Sequence, residues 1–223
     1  LISVIIPLLN RENFIGKTIE SVLNQSYPKW ECIVVDDGSD DKSFKIVNQY
    51  AQKDKRIQLY IKPKKFLSGG NGARNYGLSI SKGKYVQWLD SDNQIDPLKF
   101  EKQINLMQSH PQVDAIISQT ACLNTSNEFI HLWNEKINSN KDLLSDFILK
   151  KCGWSTEAPL WKKSFLQETA VKFNERLKNG QDYDYHIKLL AHKPNMLFIN
   201  DILTYYYLHD NQIRTTQRKF NSK

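Results

Sequence analysis

Asp90 and Asp92 sit one residue apart, with Ser91 between them, at the end of the apolar run Tyr85-Val86-Gln87-Trp88-Leu89. Carboxylates alone offer a hard-oxygen ligand set, the kind that Mn2+ or Mg2+ takes. A cation held by so few protein oxygens fills its shell with water and substrate phosphates, so the pair asks for a phosphorylated substrate. A short continuous apolar run reads as a buried strand, and in open α/β sheets ligands lie just past the carboxyl ends of such strands. Asp-x-Asp is also a common tripeptide, and acidic residues after strands often cap the next helix. The metal reading therefore needs partners elsewhere in the chain.

Three further stretches supply candidates. Asp36 and Asp37 end a β-rich run beside Gly38; either carboxylate could accept a hydrogen bond from a pyrimidine N3–H or a ribose hydroxyl, or simply cap the following helix. Asn71, Arg74 and Asn75 fall at a helix start, where backbone N–H groups and a guanidinium favour an anion such as a diphosphate, with Gly70 and Gly72 allowing close approach. The stretch from Pro7 to Glu12 follows the first strand. The dinucleotide fingerprint is absent, because Pro7-Leu8-Leu9-Asn10 has no glycine and Gly70-x-Gly72 lacks the third. No Walker-A lysine motif occurs either, which disfavours a P-loop phosphotransferase.

The elements that must position these loops follow from periodicity. Strands are predicted at Leu1 to Pro7, Glu31 to Asp36, Ile57 to Ile61, the run ending at Asp90, and Val113 to Ser118. Helices alternate with them: from about Asn13, from the turn at Asp37 to Asp41 through Tyr50, from Ala73 to Ser81, and from Pro97. Strand-helix alternation predicts an α/β fold with a mostly parallel, doubly wound sheet flanked by helices. All four loops then fall on one edge. The later part is less regular, with amphipathic segments at Asp142 to Leu149, Lys162 to Glu168 and Asp182 to Ala191, and a strand at Met196 to Ile199. With no linker or repeat, one domain is expected: a nucleotide half over residues 1–118 and an acceptor half over 119–223.

Composition narrows the class. The 223 residues are 40% hydrophobic and 25% charged, as in ordinary globular proteins. No run approaches the ~18 apolar residues that span a bilayer, and the chain opens on a strand without a basic leader. A cytoplasmic product is expected, with peripheral association at the inner face of the cell membrane allowed for. The absence of an initiating Met and the polar tail read as part of a longer protein. Cys32, Cys122 and Cys152 are widely spaced and fit structural roles in a reducing compartment. A net charge of +7 favours anionic partners. Nucleic acid is not expected among them, since the basic residues are scattered and its binding motifs are missing.

Ser3-Val4-Ile5-Ile6-Pro7 with Asn10, Val35-Asp36-Asp37-Gly38-Ser39, Gly72-Ala73-Arg74-Asn75 with Gly77, and Leu89-Asp90-Ser91-Asp92 together resemble family 2 glycosyltransferases of the GT-A fold. The resemblance implies an inverting enzyme, hexosyltransferase in type, that binds a nucleotide-diphosphate sugar, most often a UDP-sugar, through Mn2+ or Mg2+ on Asp90 and Asp92. It places the donor against Pro7, Leu9, Asn10, Glu12, Asp36, Asp37, Asn71, Arg74, Asp90 and Ser91. Leu9 and Asn93 depart from it, since the family usually has Tyr and Asp there. The acceptor would be a glycan or a lipid-linked saccharide.

Inversion also needs a general base near the acceptor hydroxyl. The stretch Phe173 to Asp184 resembles the family's Gly-Glu-Asp region, with Gln181 in place of Glu and Asp182 retained, so Asp182 is the expected base. Glu175 and Gln181 would border the acceptor. His209 resembles a position that completes the metal shell or meets phosphate. Trp154, beside Ser155, Thr156 and Glu157, could hold a pyranose on its face. Gln181 keeps a binding module without transfer activity in view, and a nucleotidyltransferase would share the fold and the metal.

Overall fold

The computed structural model describes residues 1–133, 135–138 and 142–208. Its first part runs β1 (Ile2–Leu8), α1 (Ile15–Leu23), β2 (Trp30–Asp36), α2 (Ser43–Lys53), β3 (Ile57–Ile61), α3 (Gly70–Ile80) and β4 (Tyr85–Trp88). It continues with β5 (Gln94–Ile95), α4 (Lys99–Ser109), β6 (Ala115–Leu123), β7 (Phe129–Leu132), α5 (Leu143–Ile148), β8 (Pro159–Lys162), α6 (Lys163–Thr169), α7 (Gln181–Ala191) and β9 (Met196–Tyr207). The strands form one sheet in the order β3-β2-β1-β4-β8-β6-β9-β5, with β7 paired to β6. The fold is α/β, with helices on the sheet.

Every residue of β1 and β2 is buried, because both faces of the sheet are covered. The side-chain period of two then sorts each strand. Ile2, Val4 and Ile6 join the core that contains Ile15, Ile19 and Val22 of α1, while Ile5 joins the opposite core with Trp88, Trp161 and Tyr185. The spacing of Ile15, Ile19 and Val22 puts all three on the buried stripe of α1.

Helix α3 is made differently. Gly70, Gly72 and Gly77 lower its intrinsic propensity, so tertiary packing must hold it. A Cβ added at Gly77 would stand 2.5 Å from Ile5 Cγ2, which is why the helix can lie so close to β1.

Strands β3, β2, β1 and β4 are parallel in register, Ile2 pairing with both Trp30 and Tyr85. Chain order reverses at β1, whose neighbours lead away in opposite directions, so the carboxyl ends of β1 and β4 flank a switch-point crevice. Beyond β4 the sheet is mixed: β8 is antiparallel to both β4 and β6, and β6 is parallel to β9. Residue 162, expected to open a helix, instead ends β8, and β9 runs past Ile199 to Tyr207. The extension comes from pairing with β6, a contact between segments far apart in sequence. The three cysteines are buried free thiols, and burial pushes Cys152 up to about 11.

Candidate active site

At the crevice, Arg74 donates to Asp90 in a close ion pair, and Arg11 Nε donates to Asp92 Oδ2 at 3.2 Å. The first pair ties α3 to the end of β4; the second ties the loop after β1 to the same turn. Arg74 is only 6% exposed. Burial alone would lower its pKa, but the charge and hydrogen bond of Asp90, then the charges of Glu157 and Asp182, raise it instead. The guanidinium also stacks over Phe173 at 5.1 Å, and its Nε has no partner among the described residues.

Beneath the aspartates lies a residue whose role was not legible in sequence. Asn93 Nδ2 donates to Glu157 Oε1 at 2.7 Å, while Asn93 Oδ1 accepts from Tyr207 N at 3.0 Å. Glu157 is 1% exposed. Desolvation, then Asp90, push its carboxyl up to about 8, against the opposing effects of Asn93 and Arg74. Gln87 Nε2 holds the Glu157 carbonyl at 2.7 Å. Nothing in Ser155-Thr156-Glu157 marks this, because the partner lies 64 residues earlier. Tyr206, whose ring meets Trp133 edge-on at 4.7 Å, is raised by burial and then by Glu157, Asp90 and Asp92.

The donor-side loops are stitched to one another. Asp36 is turned into its own loop, accepting from Gly38 N at 3.1 Å and Ser39 Oγ at 2.5 Å. Asp37 pairs with Lys62 at 3.0 Å and accepts from Ser68 Oγ at 3.2 Å and from Gly69 N. Asn10 Oδ1 accepts from Asp40 N and Glu12 Oε2 from Lys42 N, each at 3.0 Å, joining the loop after β1 to the one after β2. Pro7 is buried within β1, Ser91 is buried between the two aspartates, and Leu9 is exposed.

From the second part, Gln181 and Asp182 open α7, whose N-cap Gly180 takes a left-handed φ of 67°. Asp182 lies close enough to Arg74 to act on its charge. Glu175 Oε1 accepts from Asn75 Nδ2 at 2.8 Å and its Oε2 from Leu67 N at 2.7 Å. Asn75 further exchanges hydrogen bonds with the Phe173 backbone, at 2.9 and 3.0 Å, and Asn71 Nδ2 donates to Asn174 O at 2.9 Å. Glu175 thus clamps the glycine loop. Trp154 is corrected: it is 4% exposed, packed on Phe147 at 4.7 Å, with Nε1 toward His186 Nδ1 at 3.4 Å, and has no face for a sugar. His209 lies outside the described residues.

Among the described residues no group of three or more His, Cys, Asp or Glu forms a metal cluster. The fit to a hard divalent cation rests on Asp90 and Asp92, two oxygen donors now facing arginines, a partial set that leaves most positions to substrate oxygens and water. Among the described residues no helix is long and apolar enough to cross a membrane.

Comparison with known proteins adds to this geometry. The chain is 47% identical over 111 residues to an uncharacterized glycosyltransferase of Haemophilus influenzae, covering 49% of this chain and 44% of that protein, so it spans less than half of that relative's length. It superposes on S. aureus TarS 1-349 in complex with UDP-GlcNAc with a TM-score of 0.76 at 20% identity, over 94% of this chain and 59% of TarS 1-349. The mannosyltransferase PcManGT from Pyrobaculum calidifontis, in complex with GDP-Man and Mn2+, superposes with a TM-score of 0.70 at 16% identity, over 97% of this chain and 59% of that one. These two likenesses carry the GT-A fold. The family model for glycosyl transferase family 2 matches residues 3–167, and the chain belongs to that family.

Proposed function

We propose that the chain is the catalytic portion of an inverting hexosyltransferase that moves a sugar from a UDP-sugar to a hydroxyl of a glycan or lipid-linked saccharide. The observation that carries this reading is the convergence of Arg74, Asp90, Asp92 and Asp182 on the crevice at the carboxyl ends of β1 and β4. The UDP-GlcNAc complex of TarS supports a UDP-sugar, and the Mn2+ in PcManGT supports a divalent cation.

In this mechanism the loops after β1, β2 and before α3 hold the nucleotide, with Asn71 and Arg74 toward the diphosphate. A divalent cation on Asp90 and Asp92 would supply charge neutralisation for the departing diphosphate. Arg74 shares that work: buried and preorganised, it faces charge that grows only as the sugar–phosphate bond breaks. Asp182 takes the proton from the acceptor hydroxyl as its oxygen attacks the anomeric carbon, and a single in-line displacement inverts that centre.

The test is a panel of nucleotide sugars with and without Mn2+, read by thermal shift and by nucleotide release. UDP-sugars should stabilise the protein and release UDP. Pyrophosphate release would instead indicate a nucleotidyltransferase, and binding without any hydrolysis or transfer would indicate a binding module.

A further inference from the structure

Lys99, the first residue of α4, is 0% exposed and makes no ion pair among the described residues. Its amine meets three neutral oxygens instead: Ala158 O at 3.0 Å, Ser118 Oγ at 3.1 Å and Thr204 Oγ1 at 3.3 Å, one for each N–H that an ammonium donates. Burial pushes its pKa down to about 7, while the charges of Glu157 and then Asp96 pull it back up. A fully buried lysine without a carboxylate partner is rare, and replacing buried charge by a well-packed apolar side chain is often neutral or stabilising. Stability therefore gives no reason for an amine at this place.

The oxygen it holds points to another role. Ala158 O also accepts from Gln103 Nε2 at 3.0 Å and from Ser118 Oγ at 3.3 Å, so two residues one turn apart on the buried face of α4 donate to a single carbonyl. Ala158 follows Glu157, whose carbonyl accepts from Gln87 Nε2 and whose carboxyl accepts from Asn93 Nδ2, each at 2.7 Å. Residues 157 and 158 precede β8 and are 1% and 0% exposed, so their carbonyls need donors from other elements. The contacts are continuous: from Lys99 to Ala158 O, along the backbone to Glu157, and through its carboxyl to Asn93, the residue after Asp92.

We propose that Lys99, supported by Gln103, is a positioning residue for the transfer step: it fixes residues 157 and 158, and through Asn93 they fix where Asp90 and Asp92 stand against the departing diphosphate. The step named here rests on the glycosyltransferase reading, whereas the positioning rests on the hydrogen bonds alone. Both α4 residues are 0% exposed, so neither can touch substrate. A misplacement of about 1 Å in a reacting geometry costs about a hundredfold in rate, so a shift of a few tenths of an ångström costs about tenfold.

The test uses the full chain and reads amide hydrogen exchange, melting temperature and UDP release from a UDP-sugar with Mn2+. Lys99→Met should melt within about 4 °C of wild type. Exchange should quicken at residues 90–93 and stay as in wild type in β1 and β2. Turnover, kcat, should fall about tenfold with donor KM within about twofold. Asn93→Ala cuts the same path further along, so the double variant should be no slower than Asn93→Ala alone. Gln103→Leu, which removes the other α4 donor, should repeat the pattern at smaller size, and it carries the test if Lys99→Met does not fold. Wild-type exchange at residues 90–93 in these variants would overturn the proposal. So would rate losses that multiply in the double variant, or a rate loss with faster exchange throughout, which would make Lys99 a residue of the core only. If wild type releases UDP from no UDP-sugar, the glycosyltransferase reading fails, and exchange at residues 90–93 still decides the positioning.

Discussion

Asn93 holds Glu157 with one end of its amide and the backbone of Tyr207 with the other, so the turn carrying Asp90 and Asp92 is bolted at once to the stretch before β8 and to the end of β9. Desolvation and then Asp90 push this carboxyl up to about 8, while the Asn93 donor and Arg74 pull the other way. Glu157→Gln should therefore leave the melting temperature near wild type at pH 7. Glu157→Ala orphans the Asn93 amide and opens a void, costing about 2–4 kcal/mol. Thermal denaturation of the two variants checks this; equal stability would remove the bolt.

Under the proposed mechanism, in which its charge matters most once the diphosphate departs, Arg74→Ala should lower kcat by about a hundredfold with little change in donor KM. Steady-state UDP release measures both constants. Melting temperature must be read alongside, since Asp90 loses its partner in this variant. A rise in KM alone would make Arg74 a ground-state anchor.

Asp182→Asn keeps the size of the side chain and removes the proposed base. Donor affinity, followed by titrating UDP-sugar calorimetrically, should change little, and transfer should fall below detection. Normal transfer would send the search for the base elsewhere.

Gly72 is fixed by contact rather than by backbone angle. A Cβ there would drive into the carbonyl oxygen of Leu67, which is backbone and cannot swing aside. Gly72→Ala should destabilise the protein by about 1–3 kcal/mol and raise donor KM by displacing residues 67–70. Urea denaturation and donor kinetics read the two effects.

His186 sets an acid limit. It is buried among Trp154, Trp161 and Phe147, and burial pushes its pKa down to about 3. The unfolded chain takes up a proton near pH 6.5 while the folded ring stays neutral, so stability present above pH 6.5 drains away as pH falls toward about 3. By pH 5 the loss is roughly 2 kcal/mol. His186→Phe should flatten the stability profile across that window; an unchanged slope in chemical denaturation would contradict it.

The first 118 residues were legible because their physics is local. Doubly buried strands such as Ile2–Leu8 leave unbroken apolar runs, and the loops after them end in Asp, Asn or Gly. The second part hides its strands: Pro159–Lys162 is four residues long and gains its identity only by lying between β4 and β6. Trp154 misled for a related reason, since polar neighbours in sequence gave no sign of the aromatic cluster around it. Glu157 went unread because a carboxyl beside Ser155 and Thr156 looks solvated until its distant amide partner is seen.

The clamp formed by Asn71, Asn75 and Glu175 across the two halves sets the unit in which this chain can be rebuilt. A chimera that imports residues 173–181 from a relative, to change what is glycosylated, brings carbonyls and a carboxylate cut to fit two asparagines it leaves behind. Transplanting residues 67–75 together with 173–181 keeps the lock and its key in one cassette. Under the proposed acceptor role of residues 173–181, an exchange therefore has to move a pair of segments, about a hundred residues apart, and not a single loop.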